Sequence, residues 1–254
     1  MRECRQAGSG SRVGAAQTGL WSHRACGTAR FGGYPGPVTA PEQPAPHAEP
    51  SEPLLPVGVG PWPGGRDEWP ADPRLDPELL ADGDRRNVVD RYRYWTMDAI
   101  VADLDERRHG FHVAIENWQH DMNIGSIVRS ANAFLAAEVH IIGKRRWNRR
   151  GAMVTDRYQH VRHHETVEAF AEWAAAASLP IIAIDNVDGS VPLPAADLPE
   201  ACVLLFGQEG PGLSPEALAA ASTTVEIEQY GSTRSINASA AAAVVMYEWC
   251  RRWA

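Results

Sequence analysis

Apolar and polar positions alternate between strand-like and helix-like patterns from Gly110 to the C-terminus. Short apolar runs predict five strands, at 111–116, 139–143, 180–185, 202–206 and 224–228. Apolar positions at helical spacing predict four helices, at 124–136, 166–178, 214–221 and 236–252. Strands that alternate with helices predict an α/β fold with a mostly parallel sheet and helices on both faces.

The same patterns divide the chain into three parts. Residues 1–75 repeat proline and glycine too often for a helix or a sheet, which predicts a disordered leader. Residues 76–108 have a helical pattern that starts at Asp76 and Pro77 and predict a helical N-terminal extension. Residues 109–254 contain the strand and helix alternation and are predicted to form the folded domain.

Arginine and aromatic residues are interleaved in the predicted extension. They are Arg85, Arg86, Arg91, Tyr92, Arg93, Tyr94 and Trp95. Guanidinium groups and aromatic rings together bind phosphate and base, so one interpretation is an RNA-contacting surface. The other is a solvated helix with an aromatic inner face. The pattern alone does not decide between them.

Composition excludes some classes of protein. The formal net charge is -8 and the pI is about 5.6, which argues against a protein that binds nucleic acid through an overall positive charge. The four cysteines form no CxxC pair, and no apolar run reaches the roughly 18 residues that cross a bilayer. We therefore expect a cytoplasmic protein without a membrane segment. His160, His163 and His164 lack acidic partners at ligand spacing, so no metal site is predicted.

The first of three candidate site segments is NIGSIVRSANAF, at 123–134. Asn123 precedes apolar positions at helical spacing and is predicted to be the N-cap of that helix. Arg129 lies mid-helix among the small residues Ser126, Ser130 and Ala133, which let a ligand or a second subunit approach closely. A fixed cation that faces a ligand and a surface salt bridge are both compatible with Arg129.

The second segment is LLFGQEGPGLS, at 204–214. Gly207, Gly210 and Gly212 follow a buried strand, where glycines let the backbone contact a ligand. The spacing matches neither a dinucleotide-binding fingerprint nor a P-loop. Glu209 can only accept hydrogen bonds, which suits a ribose hydroxyl or a cation. Ser214 and Pro215 are predicted to start the next helix.

The third segment is IEQYGSTRSINAS, at 227–239. Ser235 or Asn237 is expected to cap the following alanine-rich helix while the other points outward. The number of small polar groups exceeds what one cap requires, which favours a site.

A basic run, KRRWNRR, follows the strand predicted at 139–143. Its cations are Lys144, Arg145, Arg146, Arg149 and Arg150. A charge run is usually a solvated face, but this one lies at the predicted ligand edge of an acidic protein and indicates phosphate contact.

Taken together and in this order, the three segments resemble the SpoU (TrmH-like) branch of the SPOUT RNA methyltransferases, over about Phe111 to the C-terminus. The resemblance implies 2'-O-methylation of ribose in tRNA or rRNA with S-adenosylmethionine as the methyl donor. It also implies a C-terminal trefoil knot and a homodimer whose sites are completed at the subunit interface.

Matched residue by residue, the resemblance implies a catalytic set. Its members are Asn123, Arg129, Glu209, Ser235 and Asn237. It implies donor contacts from Leu205, Gly207, Gly210, Gly212, Ile227, Gln229 and Ile236. The chain departs from the family pattern at Glu228 and Gln229, where proline and methionine are common.

Arg129 has two possible roles in this reaction. The family proposal makes it the base, but a guanidinium keeps its proton up to a pKa above about 12. It could instead clamp a substrate phosphate and stabilise the developing oxyanion. The main functional alternative is a non-catalytic RNA-binding protein of the same fold, and a Rossmann dehydrogenase fits less well because its glycine spacing is absent.

Overall fold

The computed structural model describes residues 58–119 and 122–254, and most of the predicted leader lies outside these residues. The strands are β1 (Phe111–Asn117), β2 (Val139–Gly143), β3 (Val161–His164), β4 (Ile181–Ile184), β5 (Val191–Pro192), β6 (Cys202–Phe206) and β7 (Thr223–Glu226). The helices are α1 (Pro77–Asp82), α2 (Met97–Asp105), α3 (Asn123–Ala133), α4 (Val167–Ala176), α5 (Pro215–Ala220) and α6 (Ala238–Trp253). Among the described residues, no helix is long and apolar enough to cross a membrane.

The strands form one seven-stranded sheet in the order β3-β2-β1-β6-β4-β7-β5, and every pairing is parallel. The predicted α/β class with a mostly parallel sheet is therefore confirmed. All five predicted strands are present, whereas β3 and β5 were not predicted. The sequence of β3, VRHH, is polar, and β5 has only two residues, so neither has an apolar strand pattern.

Alternation along the central strands fills a hydrophobic core on each face of the sheet. Phe111, Val113 and Ile115 of β1 pack in a core with residues of α3 and α6, such as Trp249. Ala114 of β1 packs in the other core, with residues of α4 and α5. The carboxyl ends of all strands consequently lie at one edge, between the two helical layers.

Residues 76–108 contain two separate α-helices, α1 and α2, joined by non-helical backbone. Gly83 ends α1 with a φ of 89°, and the chain then runs through non-helical backbone and one 3-10 turn to α2. Asp84 is fully buried there and accepts hydrogen bonds from Arg86 and from the backbone N–H of Tyr94. This local network replaces helical hydrogen bonds and explains the break.

The end of the predicted leader contacts this extension. Val59 pairs with Asp84 in a short antiparallel bridge, and the Trp62 ring lies 5.3 Å from that of Tyr94. Val59 and Trp62 therefore contact residues of the extension across the predicted boundary at residue 75. The extension in turn contacts the sheet domain, because Arg108 donates to the carbonyl oxygen of Tyr158 at 2.9 Å.

Candidate functional site

The three sequence segments meet at the carboxyl edge of the sheet, and Asn123 joins them. Its Nδ2 donates to Glu209 Oε2 at 2.6 Å, and its Oδ1 accepts from Asn237 Nδ2 at 2.9 Å. Asn123 is only 8% exposed. One side chain thus connects the first segment to both the second and the third.

Helix α3 begins at Asn123, and its N-cap position is occupied by Met122 without a side-chain cap. The prediction that Asn123 caps this helix was therefore wrong. Its side chain bonds across the sheet edge to Glu209 and Asn237 instead of to its own backbone. A capping pattern and a site residue look alike in sequence because both place a small polar residue before a helix.

Asn237, not Ser235, is the N-cap of α6, which is one of the two predicted alternatives. Its Oδ1 accepts from the backbone N–H groups of Ser239 and Ala240, while its Nδ2 bonds Asn123. The same amide therefore fixes the start of α6 and its position relative to α3. Ser235 is exposed and lines the neighbouring cavity, so it is the residue that points outward.

Backbone hydrogen bonds and two carboxylates, Glu116 and Asp185, hold the loop of the second segment. Gln208 and Gly212 exchange backbone hydrogen bonds across the loop, at 3.1 and 3.2 Å. Glu116, fully buried at the end of β1, accepts from Trp118 Nε1 and from the backbone N–H of Ser214. Asp185 accepts from the backbone N–H of Leu213 at 2.9 Å. The loop is therefore held to β1 and to the end of β4.

Gly207 is required by close packing within this loop. A Cβ at Gly207 would lie 2.3 Å from the carbonyl carbon of Gly212 and 2.4 Å from the backbone nitrogen of Leu213. Gly210 and Gly212 have φ values of +98° and +74°, which favour glycine. The glycines of this segment are thus explained by the shape of the loop that borders the cavity.

A cavity of about 500 Å³ lies between the end of β4, the second segment and the third segment. All predicted donor-contact residues except Leu205 line it: Gly207, Gly210, Gly212, Ile227, Gln229 and Ile236. Leu205 is fully buried in β6, within the core covered by α4 and α5. Glu209, Ser235 and Asn237 also line the cavity.

The last residue of β4 and the three residues after it complete the cavity, and the sequence pattern did not predict them. They are Ile184, Asp185, Asn186 and Val187. Asn186 donates to the backbone carbonyl of Arg234 and so holds the third segment. The available signal was an acidic and an amide residue directly after a buried strand, at the edge where ligands bind.

Gln229 has an unusual environment in this cavity. Its Oε1 atom is buried and has no hydrogen-bond partner among the described residues. A buried acceptor without a partner costs free energy unless a ligand or water donates to it. The cavity therefore offers an acceptor for a polar ligand at Gln229.

Arg129 lies apart from this group. It is exposed on α3 and does not line the cavity. It lies six positions after Asn123, which corresponds to about 9 Å along a helix axis and about 120° around it. Within one chain, Arg129 and the Asn123 network therefore face different directions.

The basic segment, residues 144–150, is held beside the first turn of α3. A Cβ on Gly125 would lie 2.7 Å from the carbonyl oxygen of Asn148, so α3 and this segment are in close contact. All five predicted RNA-binding cations are exposed. Arg149 lies 3.5 Å from Asp156, whereas the other four make no ion pair with the described residues.

Several arginines of the extension are used internally, which weakens the RNA-contacting interpretation for them. Arg86 donates to Asp84 and to the carbonyl oxygen of Trp95, and Arg93 donates to the carbonyl oxygen of Arg86. Arg85 stays exposed. The interleaved pattern therefore reflects, in large part, local packing of the extension.

Comparison with known proteins agrees with this arrangement. The profile of the SpoU rRNA Methylase family matches residues 110–247, more than half of the chain and all three site segments. The chain belongs to the SpoU rRNA methylase family. This membership confirms the resemblance seen in the three segments.

Relatives within this family are distant. The tRNA (guanosine(18)-2'-O)-methyltransferase of Escherichia coli K12 is 28% identical over 152 residues, covering 59% of this chain and 66% of that protein. A Mycolicibacterium vanbaalenii protein named as an uncharacterized tRNA/rRNA methyltransferase is 31% identical over 192 residues, covering 71% and 60%. The chain thus spans less than two thirds of the length of either relative.

A solved SpoU structure has the same fold. The crystal structure of the SpoU methyltransferase AviRb from Streptomyces viridochromogenes, in complex with the cofactor AdoMet, aligns with a TM-score of 0.52. Its sequence is 25% identical, and the alignment covers 59% of this chain and 60% of AviRb.

Proposed function

We propose that this SpoU protein transfers a methyl group from S-adenosylmethionine to a ribose 2'-hydroxyl in tRNA or rRNA. The observation that supports this most is Asn123, which bonds both Glu209 and Asn237 at the border of a 500 Å³ cavity. Three segments far apart in sequence are thereby joined around one ligand-sized space. Family membership and the relatives named above agree with this chemistry.

The residues around the cavity fit S-adenosylmethionine. The glycine loop brings backbone N–H and carbonyl groups to the cavity surface, which suits backbone contacts to the donor. We propose that Gln229 Oε1, which lacks a partner among the described residues, accepts from the adenine amino group. When bound, the donor would supply a methyl group already activated on a sulfonium.

The protein's main contribution would be to position the hydroxyl group in line with that methyl group. Asn123, Glu209 and Asn237 hold each other through hydrogen bonds, so their orientations are fixed before a substrate binds. Ser235 is exposed at the cavity and can bond to the sugar. General-base assistance would add about 10² to 10⁴ fold.

We propose that a second copy of the chain supplies Arg129. Within one chain it faces away from the cavity, so it could reach a site only across a subunit interface. On α6, which packs against α3, the apolar side chains of Val244 and Tyr247 are exposed at 43% and 61%. Arg129 would clamp an RNA phosphate and stabilise the developing oxyanion, because its guanidinium does not deprotonate readily.

RNA would reach the cavity over the basic segment 144–150. Its exposed cations lie next to α3, whose first residue is Asn123, so phosphate contacts there would place a nearby ribose at the cavity. The choice between tRNA and rRNA depends on RNA shape, which this surface does not specify.

We also propose a C-terminal trefoil knot and retain 109–254 as the methyltransferase domain. Two features support the knot: β6 lies between β1 and β4, and α6 packs against α3 after the chain has passed the second segment.

A cytoplasmic location suits an RNA-modifying enzyme.

Transfer of tritiated methyl from S-adenosylmethionine to RNA tests the proposal. We expect the wild-type chain to label RNA, and nuclease digestion to release label as 2'-O-methylated nucleotides. Arg129→Lys keeps the charge but loses the planar fork, so we expect partial activity, with none in Arg129→Ala. RNA binding without methyl transfer by the wild-type chain would support the non-catalytic alternative.

A further inference from the structure

Three histidines lie in a row on the face of the sheet that packs against α4. His112 in β1, His140 in β2 and His164 in β3 are on neighbouring strands. His112 Nδ1 lies 3.0 Å from His140 Nε2, and His140 Nδ1 lies 3.0 Å from His164 Nε2. Such a polar row in a layer where cores are apolar calls for a physical explanation.

Glu138 lies next to this row because it immediately precedes β2, two residues before His140. Its Oε2 lies 3.8 Å from His140 Nε2. Ligand atoms of His112, Glu138 and His140 all lie within 4.8 Å of one another. We propose that these three residues form a binding site for Zn²⁺.

The geometry supports this ion. Zn²⁺ binds imidazole nitrogens and carboxylate oxygens at about 2.0 to 2.2 Å, so tetrahedral ligand atoms are separated by about 3.3 Å. The separation of His112 Nδ1 from His140 Nε2 is 3.0 Å and that of Glu138 Oε2 from His140 Nε2 is 3.8 Å, on either side of that value. Small side-chain rotations would bring all three atoms to an ion, and a fourth position would hold water.

Outer hydrogen bonds are already in place for two of the ligands. His164 contacts the second nitrogen of His140, and Arg162 donates to both oxygens of Glu138 at 3.1 Å. Such outer partners orient the ligands of metal sites and tune their affinity. Each carboxylate oxygen has two lone pairs, so Glu138 can bind an ion while it keeps its bond to Arg162.

The proposed site is open on one side. The Trp173 ring covers His140 with 4.0 Å between ring centres, while His112 and Glu138 remain partly exposed. An ion could therefore enter from the His112 side.

The site lies away from the methyl-transfer cavity. His112 is the second residue of β1, whereas Asn123 follows the carboxyl end of that strand. An ion here would join β1 to β2 near the β3 edge of the sheet, which indicates a structural role. Spacing along the chain did not suggest the site because 28 residues separate His112 from His140.

Zinc titration of the full chain, prepared without a polyhistidine tag and stripped with a chelator, tests the proposal. Competition with a chromophoric chelator would give affinity and stoichiometry. The variants are His112→Gln and Glu138→Gln, and His160→Gln is the matched control because His160 is exposed and bonds Asp105. Near-ultraviolet circular dichroism would confirm that each variant is folded.

We expect one Zn²⁺ per wild-type chain and unchanged binding in the control. Each of the two variants should bind at least about 10-fold more weakly, since even loss of an outer partner costs about 10- to 100-fold. Co²⁺ in the wild-type chain should show the absorption bands of a four-coordinate site. Absence of stoichiometric binding, wild-type affinity in both variants, or equal weakening in the control would overturn the proposal.

Discussion

Two polar networks in this protein, each centred on one buried side chain, are built in opposite ways. Asp84 takes its hydrogen bonds from Arg86 and Tyr94, which are two and ten residues away. Asn123 bonds Glu209 and Asn237, which are 86 and 114 residues away. The first network forms within one short stretch of chain, whereas the second exists only once the whole sheet has assembled.

The surroundings of the two networks differ as well. Asp84 is fully buried, and its donors come from the backbone turn that it stabilises. Asn123 bonds Glu209 and Asn237, and these two residues line a cavity of about 500 Å³ together with the exposed Ser235. A closed, local network serves stability, and a long-range network beside an open cavity suits ligand chemistry. The following substitutions test that distinction.

The largest expected effect is on stability, from Asp84→Ala. This change leaves Arg86 partly buried without its carboxylate, and breaking a buried pair costs about 3 to 5 kcal/mol. We expect the low end, about 3 kcal/mol, because the Arg86 side chain is 25% exposed. Denaturant unfolding measures the loss, with Asp82→Asn on the exposed end of α1 as the control.

This network should also make stability depend on pH. Burial alone would raise the pKa of Asp84, but hydrogen bonds from Arg86 and the backbone outweigh burial and hold the pKa below its usual value. The stabilisation is present above the unfolded-state pKa of about 3.9 and is lost as pH falls through the lower folded pKa. An Asp84→Asn variant that loses as much stability on acidification as the wild type would contradict this.

Asn123→Ala should affect catalysis more than folding. It removes the side chain that joins Glu209 to Asn237, and loss of one such preorganised group typically costs about 10² to 10³ fold in rate. We expect at least a 100-fold lower methyl-transfer rate, measured with tritiated donor. The control is Asn87→Ala, an exposed amide in the extension. Near-native activity in Asn123→Ala would refute the role of this network.

Gly207→Ala should weaken binding of the methyl donor. The added Cβ would lie 2.3 Å from backbone of the same loop, so the loop that lines the cavity must move. We expect at least about a 10-fold loss of S-adenosylmethionine affinity by calorimetry, or about 1.4 kcal/mol. Gly60→Ala is the control, because a Cβ there meets nothing within 4 Å. Equal affinities in the two variants would indicate that the donor binds elsewhere.

The smallest effect is expected from single changes in the basic segment. Arg146→Gln removes one exposed cation, which should weaken RNA binding modestly and lower the salt slope by about 0.7 to 0.9. Filter binding over a range of salt concentrations measures the slope, with Arg251→Gln at the C-terminus as the control. An unchanged slope in both Arg146→Gln and Arg150→Gln would identify the segment as a solvated surface.

The apolar pattern of the sequence predicts the central strands of the sheet but does not predict its polar edge strand. The strand now called β6 was predicted with its observed bounds because CVLLF is apolar throughout and fully buried. The polar strand β3 was not predicted because it has no apolar pattern. It lies at the edge of the sheet and is defined by its pairing with β2. The break after α1 depends on the buried Asp84, whose environment no local pattern reveals.

In the candidate site, too, the sequence predicts the individual segments but not the contacts between them. Each segment indicated a site by itself, but the contacts of Asn123 with Glu209 and Asn237 depend on the strand order β1-β6-β4-β7. That order also brings Asp185 to the cavity, and it was missed because its segment carries no glycine pattern. Whether Arg129 joins the site depends on a second chain, which the pattern of one sequence does not describe.

The central claim is that the second and third segments, together with the residues at the end of β4, form one binding site for S-adenosylmethionine. Hydrogen–deuterium exchange of the full chain with and without the donor tests it most directly. We predict slower exchange at 207–213 and 227–238 together with 184–187, and little change in the extension at 76–108. Protection confined to one of these segments, or no protection at saturating donor, would contradict the account.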